Sequence, residues 1–169
     1  MTTRSNKDAT DLPLAVQAVE RHLAGGDPIG IFLFPENDDR VRFAVLDIDN
    51  HNGHLPWSDV VNRTQPLYDQ LRRVGDVLAV RSGGGFGIHL VLFFAQPEKA
   101  VKVRNFLVAM LKACGLKEGA KEGGIQAGVV EVFPTQDQVR GGKGYGSLIA
   151  LPFARKSVPL DDALGSVDS

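Results

Sequence analysis

Three carboxylates stand out because each interrupts an apolar run. Asp47 and Asp49 close the stretch Phe43-Ala44-Val45-Leu46-Asp47-Ile48-Asp49, and Glu131 sits inside Gly128–Phe133. Acids in such segments cost desolvation unless an opposite charge meets them. Carboxylate oxygens are hard ligands that suit Mg²⁺ or Mn²⁺. Two such ions, bridged by a carboxylate and roughly 3.5–4 Å apart, can activate a hydroxyl nucleophile and stabilise a leaving pyrophosphate. An Asp-x-Asp pair alone is common at strand ends and turns. The weight here comes from the third acid and from a second segment suited to phosphate.

That segment is Arg81-Ser82-Gly83-Gly84-Gly85-Phe86-Gly87-Ile88-His89. Glycines let backbone N–H groups approach an anion closely. Arg81 offers a fixed cation, Ser82 a hydroxyl, Gly83 its amide and His89 a ring N–H. A glycine-rich hairpin ending in an ordinary strand histidine has the same sequence. The stretch Arg140-Gly141-Gly142-Lys143-Gly144-Tyr145-Gly146-Ser147 offers similar chemistry, with Lys143 or Arg140 for a triphosphate or template backbone and Tyr145 for stacking. A plain surface loop reads the same way. Asp49, His51 and His54 have the donors for zinc or manganese. Gly53 and Pro56 mark that stretch as a turn, where histidines without a further ligand are usually solvated.

Several elements must position these residues. Apolar spacing, Pro13 and the Gly25-Gly26 pair predict a helix over Leu12–Ala24. Ile29–Phe34 and Val41–Asp49 read as strands. Trp57–Arg73 has helical periodicity and ends at Gly75. Val77–Arg81 and Ile88–Phe94 are strands joined by the glycine turn. Pro97 opens a helix to about Cys114, followed by a polar loop over Lys117–Gly128. Val129–Phe133 and Leu148–Leu151 are the last strands. From Val41 to Phe133 the order is strand, helix, strand, strand, helix, strand. That is the split βαβ, ferredoxin-like arrangement also used by RNA-recognition domains, an α+β class. Its antiparallel sheet takes the order four, one, three, two, with helices on one face and the other free for function.

Strand side chains alternate faces with a period of two. Helices cannot comfortably cover carboxylates, so Asp47 and Asp49 are assigned to the free face. His89 and Glu131 then join them from the neighbouring strands, which lie about 4.8 Å apart.

Bulk composition bounds the rest. The 169 residues are enough for one domain with a full core. Residues 1–11 are polar and expected to be disordered, 12–156 form a single domain with its core near 41–133, and the tail 157–169 is weakly patterned. The lone Cys114 rules out an internal disulfide and a cysteine zinc site, and its apolar surroundings place it in the core. No apolar run approaches a membrane span and the N-terminus has no secretory pattern, so no membrane partner and a cytoplasmic location are expected. Net charge is −1, which excludes a strongly basic nucleic-acid binder. From Lys99 to Lys156, however, ten Lys/Arg stand against four Asp/Glu.

These residues carry a resemblance. Phe43–His51, with its strand ending in Asp47-Ile48-Asp49, resembles the first motif of the archaeo-eukaryotic primases. Arg81-Ser82-Gly83 through His89–Phe94 resembles the second, a Ser/Gly turn leading to a phosphate-binding histidine. Glu131-Val132-Phe133-Pro134-Thr135-Gln136-Asp137, with Leu148–Pro152 downstream, resembles the third. The chain is most similar to primase-polymerase domains of TOTE conflict systems and CRISPR-associated systems, over roughly residues 29–153. Two departures stand out. The Ser82–His89 segment is longer than the family's compact pattern. The family's third acid is an Asp at the place of Val130. Alternation nevertheless assigns the role to Glu131, with Asp137 in reserve.

The resemblance implies an RNA-recognition-like catalytic module with a small N-terminal α/β extension. It implies a DNA-directed polymerase or primase acting from dNTPs or NTPs on a DNA template and primer. Asp47, Asp49 and Glu131 would hold two Mg²⁺ or Mn²⁺ ions; His89, Ser82, Gly83, Arg81 and Lys143 would bind the triphosphate. A near-neutral chain with few phosphate contacts should hold template weakly, so a fused or associated helicase or template-binding domain is expected. The main alternative is an RNA-recognition-like binding module without catalysis, because Gly85-Phe86-Gly87-Ile88 is similar to a motif of those domains. That reading wants stacking aromatics on the free face, where only Phe93 and Phe43 qualify. An Asp-x-Asp nucleotide-sugar transferase would need a larger nucleotide-binding domain.

Overall fold

The computed structural model of the chain describes residues 2–3, 12–13, 15–35, 38–119, 123–138 and 146–166. The alternating segments become a five-stranded sheet built from β4 (Arg40–Ile48), β5 (Val77–Arg81), β6 (Ile88–Lys99), β7 (Lys117–Glu118) and β8 (Val129–Phe133). Before it come β1 (Thr2–Thr3), β2 (Leu12–Pro13), α1 (Val16–Leu23) and β3 (Gly30–Phe32), and after it β9 (Leu148–Ala150). The connecting helices are α2 (Trp57–Arg72) and α3 (Ala100–Ala113). The sheet order is β5-β6-β4-β8-β7. This is the expected split βαβ order, extended at one edge by β7, which runs parallel to β8 and makes the sheet mixed.

Register decides which side chains share a face. Ala79, Leu90, Leu46 and Val132 form one cross-strand row, and all are buried. Helix α3 presents Val103, Leu107 and Leu111, spaced four apart along one stripe. Helix α2 presents Val60, Leu67 and Leu71. Its buried Thr64 donates its hydroxyl to the Val60 carbonyl at 2.8 Å, so the polar atom is satisfied. Each fully buried leucine in this layer contributes about 1.5–3 kcal/mol.

The opposite face is less open than alternation suggested. Val45, Val91 and Phe133 form a row there, exposed by only 2%, 6% and 7%. They share one core cluster with Ile29, Ile31, Leu33, Phe34 and Ile149. Strand β3 pairs antiparallel with β9, and this ribbon belongs to the N-terminal unit whose apolar residues join that cluster. A row of valines needs a cover as much as the helix face does; the polar row beside it is what stays at the lip.

Several boundaries differ from the sequence expectation. Residues 12–13 pair with 2–3 as a short ribbon, so α1 begins only at Val16. Pro97 does not open a helix. It lies within β6, because Val41 and Arg40 still pair with Glu98 and Lys99 beyond a register shift. The polar stretch after α3 contains β7 and a 3-10 turn at Ile125–Ala127. The tail is docked through residue 166: Arg81 N–H donates to Val158 O, Leu160 N–H donates to Ala79 O, and Leu164 is wholly buried. Its apolar residues are too few to show a period, yet they cover the free edge of β5. Among the described residues, no helix is long and apolar enough to cross a membrane.

Candidate active site

The central strand β4 places Asp47 between two partners. Asp47 is the register partner of His89 on β6 and of Glu131 on β8. His89 in turn pairs with Val80, so Val80, His89, Asp47 and Glu131 make one row on the face away from the helices. His89 Nε2 stands 3.4 Å from Asp47 Oδ1, and each side chain is 13% exposed. The sequence expectation that these residues share a face is met by the register.

Asp49 lies just beyond β4, with the parity of Asp47. Its Oδ2 is 3.0 Å from His51 Nδ1. Thus His51, which the sequence left as a solvated turn residue, partners a candidate acid, whereas His54 is exposed. The backbone around Asp49 is gripped from two sides. Ile125 N–H donates to Asp49 O at 2.8 Å. A Cβ on Gly124 would stand 2.5 Å from that same oxygen, and one on Gly87 would stand 2.5 Å from Ile48 O. Both close approaches require glycine. Asn50 is buried and closes the following loop, accepting from Leu55 N–H and donating to Leu55 O, each at 3.0 Å. Sequence reasoning passed over Gly124 and Asn50, named Gly87 only as part of the turn, and set His51 aside as solvated. The doublet Gly123-Gly124 was the one visible signal, and it read as an ordinary loop.

The glycine turn is closed by Ser82. Ser82 N–H donates to Gly87 O and Gly85 N–H to Ser82 O, each at 2.8 Å. Gly87 N–H donates to Ser82 Oγ at 3.0 Å. The serine oxygen therefore accepts within the turn. Among the described residues, the N–H groups of Gly83 and Gly84 have no acceptor. These groups suit an anion.

Other candidates lie elsewhere. Arg81 pairs with Ile88, in the row of Ile48 rather than that of His89, and its guanidinium lies 3.9 Å from the Trp57 ring centroid. Asp137 stands 3.2 Å from Arg104 Nε. Arg104, on α3, also donates to Pro134 O at 2.7 Å and pairs with Glu118 at 2.6 Å. The reserve acid is thus tied to α3, away from the acidic row. Lys143, with Arg140 and Tyr145, falls outside the described residues. Lys156, which the sequence did not single out, packs along the turn, since a Cβ on Gly85 would meet its Cδ at 2.9 Å.

Asp47 turns toward His89 and Asp49 toward His51. Among the described residues, no group of three or more His, Cys, Asp or Glu side chains is gathered closely enough to hold a metal ion.

No curated protein matches the chain. Among solved structures it is similar to the polymerase domain from Mycobacterium tuberculosis Ligase D in complex with DNA, at 17% identity and a TM-score of 0.50. That match covers 75% of this chain and 47% of the other, about half its length, and it speaks for the fold. Residues 1–163 match the family described as the archaeo-eukaryotic primase domain of the TOTE conflict system. This match takes in every strand of the sheet and all three acids, and the chain belongs to that primase family.

Proposed function

We propose that this chain is the catalytic domain of a DNA-templated primase-polymerase, a nucleotidyltransferase that joins nucleotides to a 3′-hydroxyl. One observation carries the reading: His89, Asp47 and Glu131 stand side by side on adjacent strands of a primase-family sheet. A cation-capable ring and two carboxylates in one partly buried row suit a triphosphate and the counter-ions it brings.

Asp47, Asp49 and Glu131 fit Mg²⁺ or Mn²⁺ in kind, being oxygen donors only. Asp47 and Glu131 are direct cross-strand partners, so side-chain rotation alone brings their carboxylates together. When bound, a pair of such ions would lower the pKa of the attacking hydroxyl and neutralise the leaving pyrophosphate. His89 would donate its ring N–H to a phosphate oxygen, and Ser82 its hydroxyl. Gly83 and Gly84 would offer backbone N–H groups to the same anion. Lys143 is a further candidate for the triphosphate. These contacts would hold the phosphates in line for attack.

Partners follow from charge. With net charge −1 the chain has little sequence-independent attraction for DNA. A fused or associated helicase or template-binding module would supply grip on template and primer.

Primer extension on a primed DNA template, with dNTPs or NTPs and Mg²⁺ or Mn²⁺, tests the proposal. Template-directed products are expected, and Asp47→Ala with Asp49→Ala should lower incorporation by roughly 10²–10³-fold or more. Incorporation unchanged in that double variant would sink the assignment. Omitting the primer separates initiation from extension.

A second reading has one observation in its favour. Phe93 is 60% exposed and its ring lies 6.3 Å from that of Phe43 on the same face, as a binding module without catalysis would want. Nucleic-acid binding that is lost in Phe93→Ala, with no incorporation under any condition, would favour it.

A further inference from the structure

Beside the acidic row, around the end of β4, lies an open cavity of about 270 Å³ whose lining includes Asn50, Leu55, Trp57, Arg81 and Phe86. It begins one residue after Asp49. It also reaches Arg81, the register partner of Ile88, one residue before His89. A candidate metal ligand, Asp49, thus adjoins it along the chain, and the candidate phosphate ligand His89 lies one register position from its Arg81 wall.

Its chemistry differs from that of the row. The Arg81 guanidinium rests on the Trp57 ring at 3.9 Å from the centroid. Among the described residues it makes no ion pair, and its Nε is buried with no hydrogen-bond partner. A cation stacked on an aromatic face and left without a carboxylate is a fixed donor looking for an acceptor. Phe86 is 49% exposed, a large apolar ring left at the surface. Its place is set by Gly53, where a Cβ would come within 2.9 Å of the ring. Lys156 Nζ lies 5.9 Å from the same ring.

A bare phosphate or carboxylate would use the charge and waste the rings. An aliphatic ligand would use the rings and leave the guanidinium dry. A flat heterocycle with carbonyl or ring-nitrogen acceptors on its edge uses both: Arg side chains commonly meet purine acceptors, and aromatic rings stack on bases of any sequence.

We propose that this cavity is a nucleobase subsite, with Phe86 as the stacking ring and Arg81, held by Trp57, as the donor to the base edge. The inference deepens the nucleotidyl-transfer reading and rests on it for its biological sense. The base belongs either to a free nucleotide or to a nucleic-acid strand, and the test separates these sources.

Trp57 is the chain's single tryptophan, so its emission reports on the cavity directly. The whole chain would be titrated with nucleosides, nucleoside triphosphates, tripolyphosphate and a short single-stranded DNA. Nucleosides and nucleotides should saturably quench Trp57, and tripolyphosphate should not. Phe86→Ala, at an exposed ring, should weaken nucleoside binding roughly tenfold. Arg81→Lys, which keeps the charge and loses the planar fork, should weaken it too. Stronger quenching by the strand than by the mononucleotide assigns the base to a strand, and the reverse assigns it to the substrate. Failure of every nucleoside to change the emission would overturn the proposal. So would unaltered binding in Phe86→Ala, or a response to tripolyphosphate equal to that of the nucleotide. A parent that extends primers while Trp57 ignores bases would lose the subsite and keep the polymerase. A parent that binds bases and incorporates nothing would do the opposite.

Discussion

Asp47 and Glu131 face each other directly across the β4–β8 pair, two carboxylates in adjacent positions of one partly buried row. Like charges placed opposite in a sheet oppose the pairing they sit in. His89 stands 3.4 Å from Asp47 on the other side, and a cation bound as the proposed function requires would relieve the pair further.

The consequence is measurable without any assay of incorporation. A ligand that binds only the folded chain stabilises it by mass action, about 2.7 kcal/mol at one hundred times its dissociation constant. For a chain of this size that is a rise in Tm of about 5–10 °C. Mn²⁺ or Mg²⁺ should raise the thermal midpoint of the parent by that order. Glu131→Gln and Asp47→Asn should each abolish most of the rise. Differential scanning fluorimetry across a metal titration decides it, and equal shifts in parent and variants would remove these two residues from the ligand set.

The glycines around Asp49 offer a cleaner contrast. A methyl group at Gly87 would stand 2.5 Å from Ile48 O, a backbone atom that cannot swing aside, whereas at Gly84 it would meet nothing within 4 Å. Gly87→Ala should therefore cost about 1–3 kcal/mol as the hairpin is pushed off the end of β4. Gly84→Ala should be neutral or stabilising by up to about 1 kcal/mol. Urea unfolding of the two variants measures the difference. Equal stabilities would mean that the turn does not pack against β4 as described.

What could be read beforehand divides along the same line. Asp47, His89 and Glu131 can be assigned to one face from the sequence because a period of two and a known strand order are enough to place residues within strands. Loop residues have no such period. Arg81 is the last residue of β5 and alternation places it in the row of Ile88, but its stacking on Trp57 joins segments that no spacing rule connects. Asn50, Gly87 and Gly124 act through backbone approach, which depends on tertiary contact rather than residue type. The apolar cover over Val45 and Val91 is illegible in the sequence for a related reason. Alternation tells which residues share a face, but not what another part of the chain will lay across it.

Cys114 tests burial in another way. It caps α3, its N–H donating to Met110 O and Leu111 O, and it packs against the core. Burial pushes its thiol pKa upward, because the thiolate would be desolvated. At neutral to mildly alkaline pH the folded chain should hold less thiolate than an exposed cysteine does. Alkylation by iodoacetamide should be slow in buffer and should accelerate sharply in denaturant. The same shift means that stability falls as pH rises from the ordinary thiol range through the raised value. Alkylation as fast as that of free cysteine in the folded chain would contradict the burial.

The C-terminal segment is the part of the fold with least sequence signal and a definite structural role. Leu160 N–H donates to Ala79 O and Leu164 N–H to Asp161 O. Asp161 Oδ1 accepts from the N–H groups of Ala163 and Gly165 at 2.9 and 2.7 Å, so the turn that carries Leu164 is closed on itself. Gln65 on α2 donates to Asp162 O at 2.9 Å, and Arg72 Nη1 stands 2.8 Å from Asp162 Oδ1. The ion pair is exposed and contributes little; the anchor is Leu164, which is wholly buried. Leu164→Ala should cost about 2–5 kcal/mol by transfer and cavity terms together. Asp162→Ala should cost well under about 1 kcal/mol. Because Arg81 N–H is held by Val158 O, the leucine variant should also loosen the wall of the Trp57 cavity and shift the emission of that tryptophan. Chemical denaturation followed by fluorescence reads both effects at once, and a Leu164→Ala chain as stable as the parent would mean that the segment is not docked.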